Sequence, residues 1–160
     1  MKFKSLCAAS VVLLSGSVMA SPPVLAQPAG YAPMCGIQVF LAPNPQGASA
    51  TVLNGLPVIV VDYSQLSNQV WMQFVLAHEC GHHMSGHVTP QGYWFRTTQY
   101  WATSAQELEA DCWAARVAGP QVAAFAAQYF EYSQGHHSGA PGYPSGVQRA
   151  QAIRQCGGVW

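Results

Sequence analysis

Hydrophobic positions change their period partway along the chain. In "CGIQVFLA" (35–42) and "ATVLNGLPVIVVD" (50–62), aliphatic and β-branched residues gather in short runs, which predict strands. Asn54-Gly55 divides the second stretch in two, and a two-residue hairpin turn favours that pair because both its positions take positive φ. Pro57 has no N–H to give a neighbouring strand, so its run predicts an edge strand or one that begins late. From Leu66 the spacing switches. Val70, Phe74, Ala77/His78 and Gly81/His82 recur every three or four residues, which predicts a helix to about Ser85. A second helix fits 104–118 and stops at Gly119. Pro120 suits the first turn of a third helix, running to about Tyr132, and a last short helix covers about 145–155. The expectation is an α+β fold: a small N-terminal antiparallel sheet or hairpin, then about four helices.

The connecting stretches carry their own signals. "MKFK" holds both lysines of the protein and precedes an apolar run from Leu6 to Ala20. That pattern predicts a secretory signal peptide over residues 1–20, cleaved after Ala20 or Ala26, and the run is shorter than the ~20 apolar residues that span a bilayer. Residues 21–34 ("SPPVLAQPAGYAPM") are rich in Pro and Ala without periodicity and read as a flexible lead-in. Residues 35–160 then form a single domain. Residues 87–102 read as a loop loaded with aromatics: Tyr93, Trp94, Phe95, Tyr100 and Trp101. Ordinary core packing accounts for such a loop as well as exposure does.

Charge narrows the classes of partner. Without the leader, four arginines face six acidic residues, a balance that offers nothing to nucleic acid or to an anionic membrane. No stable membrane anchor is expected once the leader is removed. Cys35, Cys80, Cys112 and Cys156 remain. An even number in an exported protein predicts two disulfides, with three pairings open. Cys80 falls about 200° around the helix from His78, away from any ligand there. The expected pairing is Cys80 with Cys112, and Cys35 with Cys156.

The densest chemistry lies in "FVLAHECGHHMSGH" (74–87), where four of six histidines stand within ten positions. "HECGH" is an HExxH motif. At about 100° per residue, His78 and His82 lie within ~40° of each other on adjacent turns, so both imidazoles reach one metal ion. Glu79 projects about 100° away, placed to act as base on a water at the metal rather than as a ligand. Gly81 leaves room for another segment to approach the helix. The apolar flank "WMQFVLA" predicts a buried helix, which disfavours histidines scattered on a solvent face.

Two histidines need a third ligand to hold zinc with a position left open. His87 fails on spacing, since an extended three-histidine pattern would need Gly at 85 and His at 88, where the chain has Ser85 and Val88. His83 is turned about 100° from His78 and is expected to cap or pack. "SAQELEADCWAARV" holds half of the acids. Glu107 and Asp111 are four apart and share a helix face, whereas Glu109 points nearly opposite. One carboxylate can then bind zinc while the other accepts a ligand histidine's N–H. Ser104 and Glu107 also match a capping box, as do Thr103 and Gln106. The second choice frees Glu107 as third ligand; under the first, Glu109 is the fallback.

HExxH followed some 25 residues later by "ELEAD" resembles the gluzincin peptidases of the group containing the CAAX prenyl protease and the heat-shock membrane protease. The likeness spans roughly residues 57–156, and "HECGHH" with "EADC" is also similar to small secreted neutral zinc metallopeptidases. It implies one Zn²⁺ on His78, His82 and Glu107, with Asp111 as supporting carboxylate. Pro144 and Arg149 match the group's late segment, although Tyr143 stands where a His usually precedes the Pro. The chain lacks the group's transmembrane helices and is short.

Together these readings predict an exported zinc metalloendopeptidase, periplasmic or secreted, that acts on protein or peptide with Glu79 as general base and then acid. The preceding strand (58–61) is expected to offer its edge to an extended substrate. The alternative is a zinc-stabilised binding or quality-control module with a weak or silent site. "GHHSGAPGYPSG" adds His136, His137 and Tyr143, any of which can donate to a developing oxyanion. His136 or His137 can alternatively close the open zinc position as a latch, and each can equally be a solvated loop residue.

Overall fold

The computed structural model describes residues 26–88, 102–138 and 142–159. The leader expected over 1–20 and the aromatic stretch 93–101 lie outside these residues. A four-stranded sheet precedes four helices, the α+β arrangement the periodicity implied. The strands are β1 (Gln27–Tyr31), β2 (Gln38–Leu41), β3 (Ala48–Leu53) and β4 (Leu56–Val61), in the order β1-β2-β4-β3.

β3 and β4 form the expected antiparallel hairpin, with Asn54 at φ 51° and Gly55 at φ 80° in its turn. Three details depart from expectation. β2 runs parallel to β4, so the sheet is mixed rather than wholly antiparallel. β4 is consequently an interior strand, and its residues 58–61 have no edge to offer a peptide. Pro57 is tolerated because it falls at the strand's start, opposite Val52, while Val58, Ile59 and Val61 are buried. Lastly, residues 27–31 of the lead-in pair antiparallel with β2 as an exposed edge strand. Pro28 and the register shift before Gly30 concealed that strand from a periodicity reading.

Asp62 caps a 3₁₀ turn (Tyr63–Ser67) through Ser64 N–H and also accepts from Asn44 N–H at 2.8 Å. Asn68 then caps α1 (Gln69–Met84). α1 lies between two apolar clusters. Ile59, Val61 and Val39 of the sheet pack with Cys80 on one side. Phe74 and Ala77 meet an alanine-rich group from α2 (Ser104–Val117), α3 (Pro120–Ser133) and α4 (Gly146–Gly157) on the other. Small side chains let these helices approach closely. A Cβ built on Gly81 would stand 3.0 Å from the backbone of Ala110, so the glycine fixes how near α1 comes to α2.

Both disulfides form, but not in the expected pairing: Cys35 joins Cys80, and Cys112 joins Cys156. Cys80 faces the sheet rather than α2, which puts it beside the turn that carries Cys35. The first bridge ties α1 to the approach of β2; the second clamps α2 to α4. No helix among the described residues is long and apolar enough to cross a membrane.

Candidate metal centre

α1 and α2 present their functional side chains across the Gly81–Ala110 contact. Thr103, not Ser104, caps α2: its hydroxyl accepts from Gln106 N–H while the Gln106 side chain accepts from Thr103 N–H. Glu107 is thereby left to turn inward, and it is buried with His78 and His82. Among the described residues these three form a group whose ligand atoms lie within 4.8 Å of one another and that can hold a metal ion. Nε2 of His78 is 3.1 Å from Nε2 of His82, 3.3 Å from Glu107 Oε2, and Nε2 of His82 is 3.5 Å from Glu107 Oε1. Ligands about 2.05 Å from a tetrahedral zinc would be about 3.3 Å apart. The two imidazole nitrogens stand near that spacing, and each faces a different oxygen of the Glu107 carboxylate. Glu79 is buried one position after His78 and lies outside this ligand set.

Each imidazole is held from behind by its second nitrogen. Nδ1–H of His78 donates to Asp111 Oδ1 at 2.9 Å. Asp111 is fully buried, and both its oxygens also receive Arg149, Nε to Oδ2 at 2.7 Å and Nη2 to Oδ1 at 2.6 Å. The guanidinium stacks over the Phe130 ring at 4.0 Å. This bidentate pair links α2, α3 and α4 behind one ligand. His82 is supported by a different route: its Nδ1 is 3.0 Å from Nδ1 of His87, whose Nε2 is 3.2 Å from Glu109 Oε2.

The charges are interdependent. Burial alone would lower the His78 pKa. Hydrogen bonds to Asp111 and Glu107 and the charge of Asp111 outweigh it and raise the value from 6.5 to about 10. Burial would raise the Glu107 carboxyl, but the hydrogen bonds from His78 and His82 hold it well below the usual carboxylate range. Asp111 is likewise held low against its burial, chiefly by Arg149. A cation between His78, His82 and Glu107 would replace the proton that His78 carries in its absence.

His83 donates its Nε2–H to Val58 O at 3.0 Å, anchoring α1 to β4 as a packing residue. His136 and His137 are exposed on the turn after α3, and among the described residues neither imidazole bonds to the cluster. The backbone of His137 is pinned instead, by Gln134 O at 2.9 Å and Gly146 N–H at 3.1 Å. Tyr143 is half-buried in the approach to α4. Sequence reasoning left two supports without a role. Arg149 is legible in the sequence only as part of a late segment, and the spacing of His87 excludes it as a ligand without pointing to its contact with His82. Comparison with protein-family models, curated proteins and solved structures finds no match to this chain.

Proposed function

We propose that the chain is an exported zinc-dependent peptidase, periplasmic or secreted, that hydrolyses peptide bonds of proteins or peptides. The observation that carries this reading is the buried grouping of His78 Nε2, His82 Nε2 and the Glu107 carboxylate from two helices, within 4.8 Å of one another, with Glu79 buried next to His78 but not among the ligands. Two histidines and one carboxylate are a donor set that suits zinc and leaves a fourth position open. A purely structural site uses four protein ligands and has no need of an adjacent carboxylate. Bound zinc would act as a Lewis acid on the scissile carbonyl and lower the pKa of water.

The chain's own groups do the rest. Asp111 and His87 hold the ligand imidazoles with Nε2 toward the ion. Glu79 takes a proton from the attacking water and delivers it to the departing amine nitrogen as the C–N bond breaks and the new C–O bond forms. His136, His137 and Tyr143 are the candidate donors to the developing oxyanion. Two disulfides support a chain that folds in an oxidising compartment.

The test is digestion of casein or a peptide library by purified protein, with and without chelator, beside Glu79→Gln. Cleavage by wild type that chelator abolishes and that Glu79→Gln lacks despite keeping its zinc supports the enzyme. Zinc at one equivalent with no cleavage of any substrate points to the zinc-stabilised binding module instead.

A further inference from the structure

We infer that His87 and Glu109 are positioning residues for the second zinc ligand, forming a carboxylate–imidazole relay behind His82. The inference rests on the metal-centre reading above and concerns what holds one of its ligands in place.

The geometry begins in the backbone. α1 ends at Met84, Ser85 is its cap and Gly86 follows at φ 72°. His87 N–H reaches back to His82 O at 2.9 Å, and Gly86 N–H to His83 O at 3.2 Å. Those two bonds define a Schellman motif, which places the residue two past the cap against the residue three before it. Here the pair brought together is His87 and His82. Their ring centroids are 5.2 Å apart, and the His87 side chain is only 6% exposed.

The hydrogen-bond directions then agree with a single arrangement. A metal on His82 Nε2 leaves the proton on Nδ1, so Nδ1–H must donate to His87 Nδ1. His87 thus carries its own proton on Nε2, and that N–H faces Glu109 Oε2 at 3.2 Å. Each polar atom of the relay has the partner its state requires. His87 itself cannot reach the ion, because its contact is with the nitrogen of His82 on the other side of the ring. Glu109, at 60% exposed, is the solvent end of the chain. α2 therefore supplies two residues to the two histidines: Asp111 from its buried face and Glu109 from its outer one.

The experiment measures zinc affinity by chelator competition and records the visible absorption of the Co²⁺-substituted protein. Its subjects are wild type, His87→Leu, His87→Gln and Glu109→Ala, each checked for folding by near-UV circular dichroism. His87→Leu should bind zinc about 10–100-fold more weakly and shift the cobalt bands. His87→Gln should restore both, because one amide can accept from His82 and donate to Glu109. Glu109→Ala should fall between. If His87→Leu does not fold, Glu109→Ala decides alone, since its side chain is exposed. Wild-type affinity and an unchanged cobalt spectrum in His87→Leu, or in Glu109→Ala where that variant decides, would overturn the relay while leaving the zinc site standing. Absence of zinc binding in wild type would instead remove the metal-centre reading and the relay with it.

Discussion

His78 and His82 stand one turn apart on α1 and aim at the same point, yet they are supported in opposite ways. Behind His78 lies Asp111, fully buried and gripped on both oxygens by Arg149 from another helix. Behind His82 lies His87, brought in by the turn that ends the same helix, with an exposed Glu109 beyond it. One support is a charged pair inside the helical core; the other is local and peripheral. The difference teaches where fold and site share residues. Disturbing the His78 side should damage the protein, whereas disturbing the His82 side should chiefly damage the metal site.

The largest expected effect is therefore at Asp111. Asp111→Ala strands the Arg149 guanidinium without its buried partner and should destabilise the metal-free protein by about 3–5 kcal/mol. Glu109→Ala, at the outer end of the other support, should change stability by no more than about 0.5 kcal/mol. Urea unfolding of both variants checks the contrast, and equal losses would break it. Next is the bridge that clamps α2 to α4 and so holds Asp111 against Arg149. Replacing Cys112 and Cys156 together by Ser should cost about 2–4 kcal/mol, read as a lower urea midpoint, and should weaken zinc binding as well.

pH acts on His78 and Glu107 in opposite directions. With its pKa raised from 6.5 to about 10, His78 contributes stability to the metal-free protein that is complete below pH 6.5 and is lost as pH rises through about 10. Glu107, held low, contributes stability that is present above its ordinary 4.5 and is lost as pH falls below it. Thermal melts of chelator-treated protein should accordingly peak between pH 4.5 and 6.5 and decline toward pH 10. Zinc-loaded protein should not show that alkaline decline, because its His78 carries no proton on Nε2. A smaller effect than at the buried pair or the disulfide belongs to the turn. Gly86→Ala places a side chain at φ 72° and should cost about 1 kcal/mol, measured by urea unfolding. Its zinc affinity should fall as His87 loosens, with the Asp111–Arg149 pair intact.

Much of the site was legible because helix periodicity is a strong constraint. HExxH fixes two imidazoles on one face, and the four-residue step from Glu107 to Asp111 puts a candidate ligand and the carboxylate that meets His78 Nδ1 on another. The room at Gly81 was legible too, although its occupant, Ala110, was not. The capping choice at α2 stayed open because Thr103-Gln106 and Ser104-Glu107 satisfy the same pattern one residue apart; only packing selects between them. Strand partners and disulfide pairing are non-local. Nothing near Cys80 in the chain says that it faces the sheet, and nothing in "LPVIVV" says that β2 will lie parallel beside it. The spacing of His87 excludes it as a ligand, and it lies outside the ligand group. Its contact with His82 is signalled instead by Gly86, which marks a helix-ending turn whose geometry returns the next side chain toward His82.

The measurement that tests the central claim most directly is metal content of the purified protein by elemental analysis, for wild type, Glu107→Ala, Glu109→Ala and Glu79→Gln. One zinc per chain is predicted in wild type, none retained through gel filtration in Glu107→Ala, a weakly held zinc in Glu109→Ala, and one in Glu79→Gln. A wild-type protein without zinc would contradict the account, and so would a Glu107→Ala variant that keeps its metal while Glu109→Ala loses it.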